Sequence, residues 1–289
     1  MDDSTTSFHP QELPSALYVV ATPLGNLGDI SRRALAVLGA ADVVACEDTR
    51  HSSRLLDHFG IRARLIAVHE HNEEEGAAVL IDLLAAGKRV AMICDAGTPA
   101  VSDPGARVVA RVRRAGFRVS PIPGPNAAIA ALSAAGLPEP HFLFYGFLPA
   151  RQAARRAEME TLTAQPYALV FYESPHRVVE TVTDMAAVFG PERNLVVARE
   201  LTKLFENIAT ITLAEAPEWF AADANRRRGE FVLVVSGAPA LQGEDAEADR
   251  VLAILMEQLP LKQAVHLAAE ITGAARNALY RRALELKGD

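Results

Sequence analysis

No apolar run in this chain reaches the roughly 18 residues that a membrane-spanning helix needs, although half of its 289 residues are hydrophobic. That much apolar material can bury large cores, and the length suits two domains with a small appendage. Cysteine is scarce: Cys46 and Cys94 are the only two. Each ends a strand-like run, and two buried thiols in a reduced cytoplasm are the expectation. No Cys-x-x-Cys pair and no Cys/His spacing of a metal site occurs, so no metal is expected. The Gly-x-Gly-x-x-Gly dinucleotide fingerprint is missing, as is the Gly-Lys-Ser/Thr that would cradle a nucleoside triphosphate. The first residues, Met-Asp-Asp-Ser-Thr-Thr-Ser, are acidic and polar, unlike a signal peptide. A flexible tail over residues 1–16 and a cytoplasmic location follow as expectations.

Net positive charge is also lacking. The formal charge of −7 argues mildly against a nucleic-acid partner. The distribution qualifies the sum. Arginines cluster at Arg111, Arg113, Arg114 and Arg118, at Arg151, Arg155 and Arg156, and at Arg226 to Arg228. A fourth group, Arg276, Arg281, Arg282 and Lys287, closes the chain. One cluster alone reads as a solvated face; several on one face would form a phosphate track.

What is present first is alternation. Short apolar runs at Leu17 to Ala21, Asp42 to Cys46, Arg64 to Val68, Arg89 to Cys94 and Arg118 to Ile122 suit strands buried on both faces. Helical stretches such as Ile30 to Leu38 and Asn72 to Ala86 separate them, the latter with Asn72 as its expected cap and three glutamates in its first turn. This pattern predicts a mostly parallel sheet in an N-terminal α/β domain, residues 17–136. Gly136-Leu137-Pro138-Glu139-Pro140 reads as the break to a second α/β domain, residues 137–239. There the runs Leu195 to Glu200 and Ile208 to Leu213 are joined too tightly for a helical crossover, so the sheet is expected to be mixed. After a linker over Ala238 to Asp245, residues 246–289 read as three helices. Thr272-Gly273 forms the turn of a helix-turn-helix or of a plain helical packing module.

The motifs fall at strand ends. After the fourth run comes Cys94-Asp95-Ala96-Gly97-Thr98-Pro99-Ala100-Val101-Ser102-Asp103-Pro104-Gly105, in which glycines admit a ligand to the backbone, prolines hold the loop, and Asp95 and Asp103 offer acceptors. Its second half also reads as a helix start, with Ser102 or Asp103 as cap and Pro104 at the first helical position. After the first run comes Thr22-Pro23-Leu24-Gly25-Asn26-Leu27-Gly28-Asp29, and after the fifth Pro123-Gly124-Pro125-Asn126. After the second, Cys46-Glu47-Asp48-Thr49-Arg50-His51 carries two carboxylates that read either as substrate-positioning or basic groups or, for Asp48, as a helix cap. In a parallel sheet these ends lie on one edge, where ligands bind. The second domain adds Tyr172-Glu173-Ser174-Pro175-His176-Arg177 and Arg199-Glu200-Leu201-Thr202-Lys203. Arg177 could grip phosphate and Lys203 could steady an alkoxide or, with a lowered pKa, accept a proton; the alternative is a structural Glu173/Arg177/Glu200/Lys203 salt-bridge set.

These six motifs, in this order from about Leu17 to Gly237, resemble the bacterial 16S rRNA (cytidine-2′-O)-methyltransferases of the tetrapyrrole-methylase superfamily. The helical tail fits as well. The resemblance implies two α/β domains of that non-Rossmann type and S-adenosylmethionine bound between them. It implies a cofactor site at Pro23, Leu24, Gly25, Asp95, Gly97, Thr98, Ser102, Pro123, Gly124, Pro125 and Asn126. The implied substrate is a cytidine ribose in the decoding region of the small ribosomal subunit, and the implied assembly is a homodimer. Lys203, Glu47 and Asp48 are then the candidates for activating the 2′-hydroxyl. Arg50, His176, Arg177, Arg276 and Arg281 are the candidates for holding RNA. A tetrapyrrole C-methyltransferase with the same cofactor, and a nucleic-acid-binding regulator without catalysis, are the competing readings.

Overall fold

The computed structural model describes residues 13–69, 71–238 and 244–286. The expected tail up to residue 12, residues 239–243 of the linker, and Lys287 lie outside the described residues.

The first sheet has five parallel strands: β1 (Leu17–Val20), β2 (Val43–Cys46), β3 (Arg64–Ala67), β4 (Val90–Met92) and β5 (Val119–Ile122), in the order β3-β2-β4-β1-β5. Helices α1 (Arg32–Ala40), α2 (Thr49–His58), α3 (Glu73–Ala85) and α4 (Ala106–Arg114) make the crossovers. Strands β1, β2 and β4 are almost wholly buried, as their apolar runs require, whereas β3 is a partly exposed edge. One face of the sheet packs on Val37, Leu38 and Leu56, the other on Leu80, Leu84, Val108 and Val112.

The helix starts show where local chemistry decided. Ser31 caps α1 by accepting from Ala34 N at 3.0 Å. Asn72 does not cap α3. Its Oδ1 accepts from His69 N at 2.8 Å and its Nδ2 donates to Ala67 O, closing the β3–α3 turn. Nor does α4 begin at Pro104. Ala100, Ser102 and Gly105 have φ of +67°, +60° and +126°, conformations no right-handed helix contains, so the helix starts at Ala106. In place of a side-chain cap, the Gly105 N–H donates to the buried Glu73 Oε1 at 2.6 Å.

The second sheet contains β6 (Phe142–Phe147), β7 (Ala168–Glu173), β8 (Asn194–Arg199), β9 (Asn207–Thr212) and β10 (Phe231–Val235), in the order β6-β7-β10-β8-β9. Only β6 and β7 pair in parallel; β8 and β9 form the expected antiparallel hairpin. Helices α6 (Gln152–Leu162), α7 (Val178–Phe189) and α8 (Ala216–Ala222) cover one face. The other face is covered by α5 (Ala127–Ala135), whose Ala128, Ala131 and Ala135 pack on Val170, Val196 and Val234. Helix α5 thus packs on the second sheet although it precedes the break expected after residue 136. That helix is apolar on nearly every side and needs a broad surface to bury it.

Helices α9 (Glu244–Gln258), α10 (Leu261–Thr272) and α11 (Arg276–Leu286) share a small core of Ala248, Leu252, Val265, Ala268 and Leu279. Gly273 ends α10 in the left-handed conformation, as the Thr272-Gly273 turn predicts.

Candidate active-site cleft between the two sheets

The C-terminal ends of β1, β2, β4 and β5 converge on a cleft of about 450 Å³ whose opposite wall comes from the second sheet. Such a position and volume are those of a small-molecule site. Of the residues singled out from the sequence, Leu24, Glu47, Asp95, Gly97, Thr98, Ser102, Asn126 and Lys203 line it directly. Pro23, Gly25, Asp48, Pro123, Gly124 and Pro125 are not among the lining residues.

The loops of the first sheet are stapled to one another. Thr22 and Gly97 exchange backbone hydrogen bonds of 2.8 and 3.1 Å, and Thr22 Oγ1 donates to Cys94 O. Thr98 Oγ1 donates to Pro125 O at 2.9 Å. A methyl group on Gly124 would lie 2.9 Å from the Ala21 Cβ, and one on Gly97 (φ +82°) 3.2 Å from the Leu24 side chain. Both glycines are therefore needed for close approach of backbone to neighbour. Asn126 caps α5 through Ile129 N while lining the cleft.

Asp95 carries the clearest signal of a ligand. Its Oδ1 is buried and has no hydrogen-bond partner, yet the residue lines the cleft. A buried acceptor without a donor is costly unless something else supplies one. Beside it, burial raises the pKa of Asp103, partly opposed by a hydrogen bond with the Cys94 thiol, and Asp95 adds to the rise. Burial likewise pushes the Cys94 thiol far up, so this cysteine stays protonated.

Across the cleft, Lys203 Nζ donates to Glu200 Oε1 at 2.9 Å and to Glu230 Oε2 at 2.6 Å. Burial disfavours its charge, but the two carboxylates outweigh that and hold its pKa above the usual lysine range. Lys203 is a fixed cation, which favours the alkoxide-steadying role over proton acceptance. The chain around it is strained for the purpose, with Glu200 and Thr202 at φ of +51° and +67°. The side chain lies over Gly25, where a methyl group would meet Lys203 Cγ at 2.5 Å. Lys203 thus bridges the two domains across a glycine.

The remaining candidates divide. Asp48 accepts from Arg50 N and His51 N, capping α2, and those amides hold its carboxyl below the usual range. Arg50 and His176 are exposed. Arg177, the expected phosphate grip, instead donates to Glu173 Oε2 at 2.9 Å and to Leu148 O at 2.8 Å. Glu173 also accepts from Thr181, and the pair is a structural clamp separate from Glu200 and Lys203. Arg276 and Arg281 are exposed on α11. The second arginine cluster divides: Arg151 is exposed, Arg155 is buried and pairs with the buried Asp184 at 2.6 Å, and the half-exposed Arg156 reaches the same carboxylate at 2.7 Å. Glu230, Phe147 and Tyr172 line the cleft without having been singled out for it. For Glu230 the available signal was Gly229-Glu230 immediately before an apolar strand.

Among the described residues, no group of His, Cys, Asp and Glu converges as metal ligands, and no helix is long and apolar enough to cross a membrane.

Two sheets of this topology with a cleft between them define a class, the tetrapyrrole (corrin/porphyrin) methylases, whose family profile matches residues 16–217. Solved structures agree at the level of fold. Cobalt precorrin-4 methyltransferase superposes with a TM-score of 0.57 at 16% identity, over 80% of this chain and 98% of that one. Uroporphyrin-III C-methyltransferase from Thermus thermophilus, complexed with S-adenyl homocysteine, gives 0.54 at 18% over 76% and 97%. The last helices match the profile of the RsmI C-terminal HTH domain over residues 242–287. Ribosomal RNA small subunit methyltransferase I of Pseudomonas aeruginosa is 54% identical over 275 residues, 94% of this chain and 98% of the relative. That of Escherichia coli O157:H7 is 52% identical over 94% and 96%. The chain belongs to this family of small-subunit rRNA methyltransferases within the tetrapyrrole-methylase class.

Proposed function

We propose that the protein transfers a methyl group from S-adenosylmethionine to the 2′-oxygen of a cytidine ribose in the decoding region of 16S rRNA. It acts on the small ribosomal subunit as a homodimer in the cytoplasm. The observation that carries the chemistry is Lys203, whose methylene stem lies over Gly25 while Glu200 and Glu230 hold its ammonium, at the meeting of the two cleft walls. The cofactor, when bound, supplies a methyl group made electrophilic by a positive sulfonium. The residues fit such a group: Asp95 Oδ1 lacks a donor, Gly97 and Leu24 pack closely, and Asn126 lines the pocket at the end of a turn bonded to Thr98.

A ribose 2′-hydroxyl is a weak nucleophile at neutral pH, so the protein has to orient it and ease the loss of its proton. Lys203, held charged by Glu200 and Glu230, suits stabilisation of the developing alkoxide. Glu47, on the facing wall, is the assigned proton acceptor. Asp48 ranks behind it because Glu47 lines the cleft, whereas Asp48 caps α2 and does not. Exposed Arg50, His176, Arg276 and Arg281 are assigned to RNA contacts.

The deciding experiment is methyl transfer from labelled S-adenosylmethionine to small subunits purified from a strain lacking this protein, with the product mapped by nuclease digestion and mass spectrometry. A methyl on a cytidine 2′-oxygen is the expected result. Cofactor binding with no transfer to subunits, but transfer to a porphyrinogen, would move the assignment to C-methylation.

A further inference from the structure

One large aromatic side chain of the cleft stands half exposed instead of entering either core. Phe147, the last residue of β6, lines the cleft and is 54% exposed. Its surroundings are held by several contacts. The ring sits edge-on to Tyr172 at 5.6 Å, and Tyr172 sits edge-on to Phe144 at 5.0 Å. The Tyr172 hydroxyl accepts from Ala128 N at 3.2 Å, tying this aromatic row to the start of α5. A bulge in the β6–β7 pairing between Phe144 and Gly146 sets the approach to Phe147. Gly146 (φ +84°) packs so near Ser102 that a methyl group there would lie 2.6 Å from Oγ.

The backbone beyond the ring is clamped twice. Arg177, held by the buried Glu173, donates to Leu148 O at 2.8 Å. Arg155, held by the buried Asp184, donates to Ala150 O at 3.1 Å. Two ion pairs with buried carboxylates thus fix the carbonyls one and three residues after Phe147. An exposed phenyl ring held this rigidly at the mouth of a binding cleft is a preorganised flat surface, with little left to order when a ring lands on it.

We propose that Phe147 is the stacking platform for the base of the target nucleotide. The inference rests on the rRNA-methylating reading above. To bring a ribose 2′-oxygen into the cleft, the nucleotide has to leave its neighbours, and its base loses their stacking. An aromatic face at the cleft mouth replaces that stacking without reading the base's identity, because every base has a π face. Phe147 is on this assignment a positioning residue: it holds the base so that the ribose reaches Lys203.

The test compares Phe147→Ala and Phe147→Trp with the wild type, using the full chain and intact small subunits. Phe147→Ala is expected to lower kcat/KM for subunits on the order of tenfold to a hundredfold, the range that follows from losing one base–aromatic stack. Its cofactor Kd by calorimetry should stay within about twofold, and Phe147→Trp should restore the rate. A direct reading uses an rRNA fragment whose target cytidine is replaced by the fluorescent analogue pyrrolo-cytidine. Emission should fall on binding wild type or the Trp variant and stay bright with the Ala variant. Unchanged kcat/KM and quenching in Phe147→Ala would overturn the assignment, as would a loss confined to cofactor affinity or a loss explained by dissociation of a dimer in sedimentation. Wild type that quenches the fragment but methylates no subunit would count against the rRNA reading while leaving the platform standing.

Discussion

In the parallel domain the cleft wall is built largely from backbone, whereas in the mixed domain it is built largely from side chains. The first contributes close-packed glycines, the left-handed Ala100 and Ser102, and loops bonded to each other through Thr22, Gly97 and Thr98. The second contributes the Lys203–Glu200–Glu230 cluster and the row Phe144, Tyr172, Phe147. The division follows from strand direction. Parallel strands end together, so their loops meet at one edge and present amides and carbonyls. In a mixed sheet neighbouring ends are not all loops of one kind, and the groups that reach the cleft do so as long side chains. One wall therefore shapes the site, with backbone as well as the carboxylates of Glu47, Asp95 and Asp103, and the other supplies its fixed cation.

The sharpest test of the second wall is its foundation. Arg155→Ala leaves Asp184 buried, with only Arg156 and Gln152 to compensate it. It should destabilise the protein by about 3–5 kcal/mol in urea melts, more than any cleft substitution. The same network predicts an acid limit. Burial alone would raise the Asp184 pKa, but Arg156, Arg155 and Gln152 outweigh it and hold it below the ordinary value. Its contribution is therefore present above the unfolded carboxylate pKa of about 3.9 and lost as pH falls through the lower folded value. Asp184→Asn should be less stable at neutral pH and show a flatter fall in stability below about pH 4.

Next in size, the two walls should separate kinetically. Lys203→Met should lower turnover by about 100- to 1000-fold, as the loss of a fixed oxyanion stabiliser does, with cofactor affinity nearly unchanged. Gly97→Ala should do the reverse. A left-handed alanine costs about 1–2 kcal/mol and crowds Leu24, so cofactor affinity should fall about tenfold while turnover at saturating cofactor persists. If both variants lose the same parameter, the division between shape and charge is wrong. The smallest effects belong to the helical module: Arg276→Ala and Arg281→Ala should each weaken subunit binding a few-fold and reduce the salt slope by about one, leaving cofactor binding intact.

How much was legible varies with the kind of force involved. The seven strands named above from short apolar runs all form, and in β1, β2 and β4 burial on both faces left that local mark in the sequence. The cap of Asp48, which acts over three residues, could be read as well. The start of α4 was misplaced because Glu73, 32 residues before Gly105, satisfies the amide that a local cap would have taken. The interior role of Arg155 was not legible either, whereas the Glu173–Arg177 pair was among the alternatives because it spans four residues. An arginine on the surface and one facing a buried carboxylate from another helix look alike until the helices pack.

By itself the sequence determined the alternation of strands and helices, the gathering of four loop motifs at one sheet edge, and the family to which those motifs belong. Each of these depends on residues close along the chain or on an ordered set of short segments. Only the tertiary structure decided that α5 belongs to the second sheet, that Lys203 lies over Gly25 as a fixed cation, that Asp95 keeps an acceptor without a donor, and that Phe147 stands exposed on a rigid base. Each of these depends on groups distant in sequence meeting at ångström range, and burial, charge pairing and close contact at that range are properties of the packed whole.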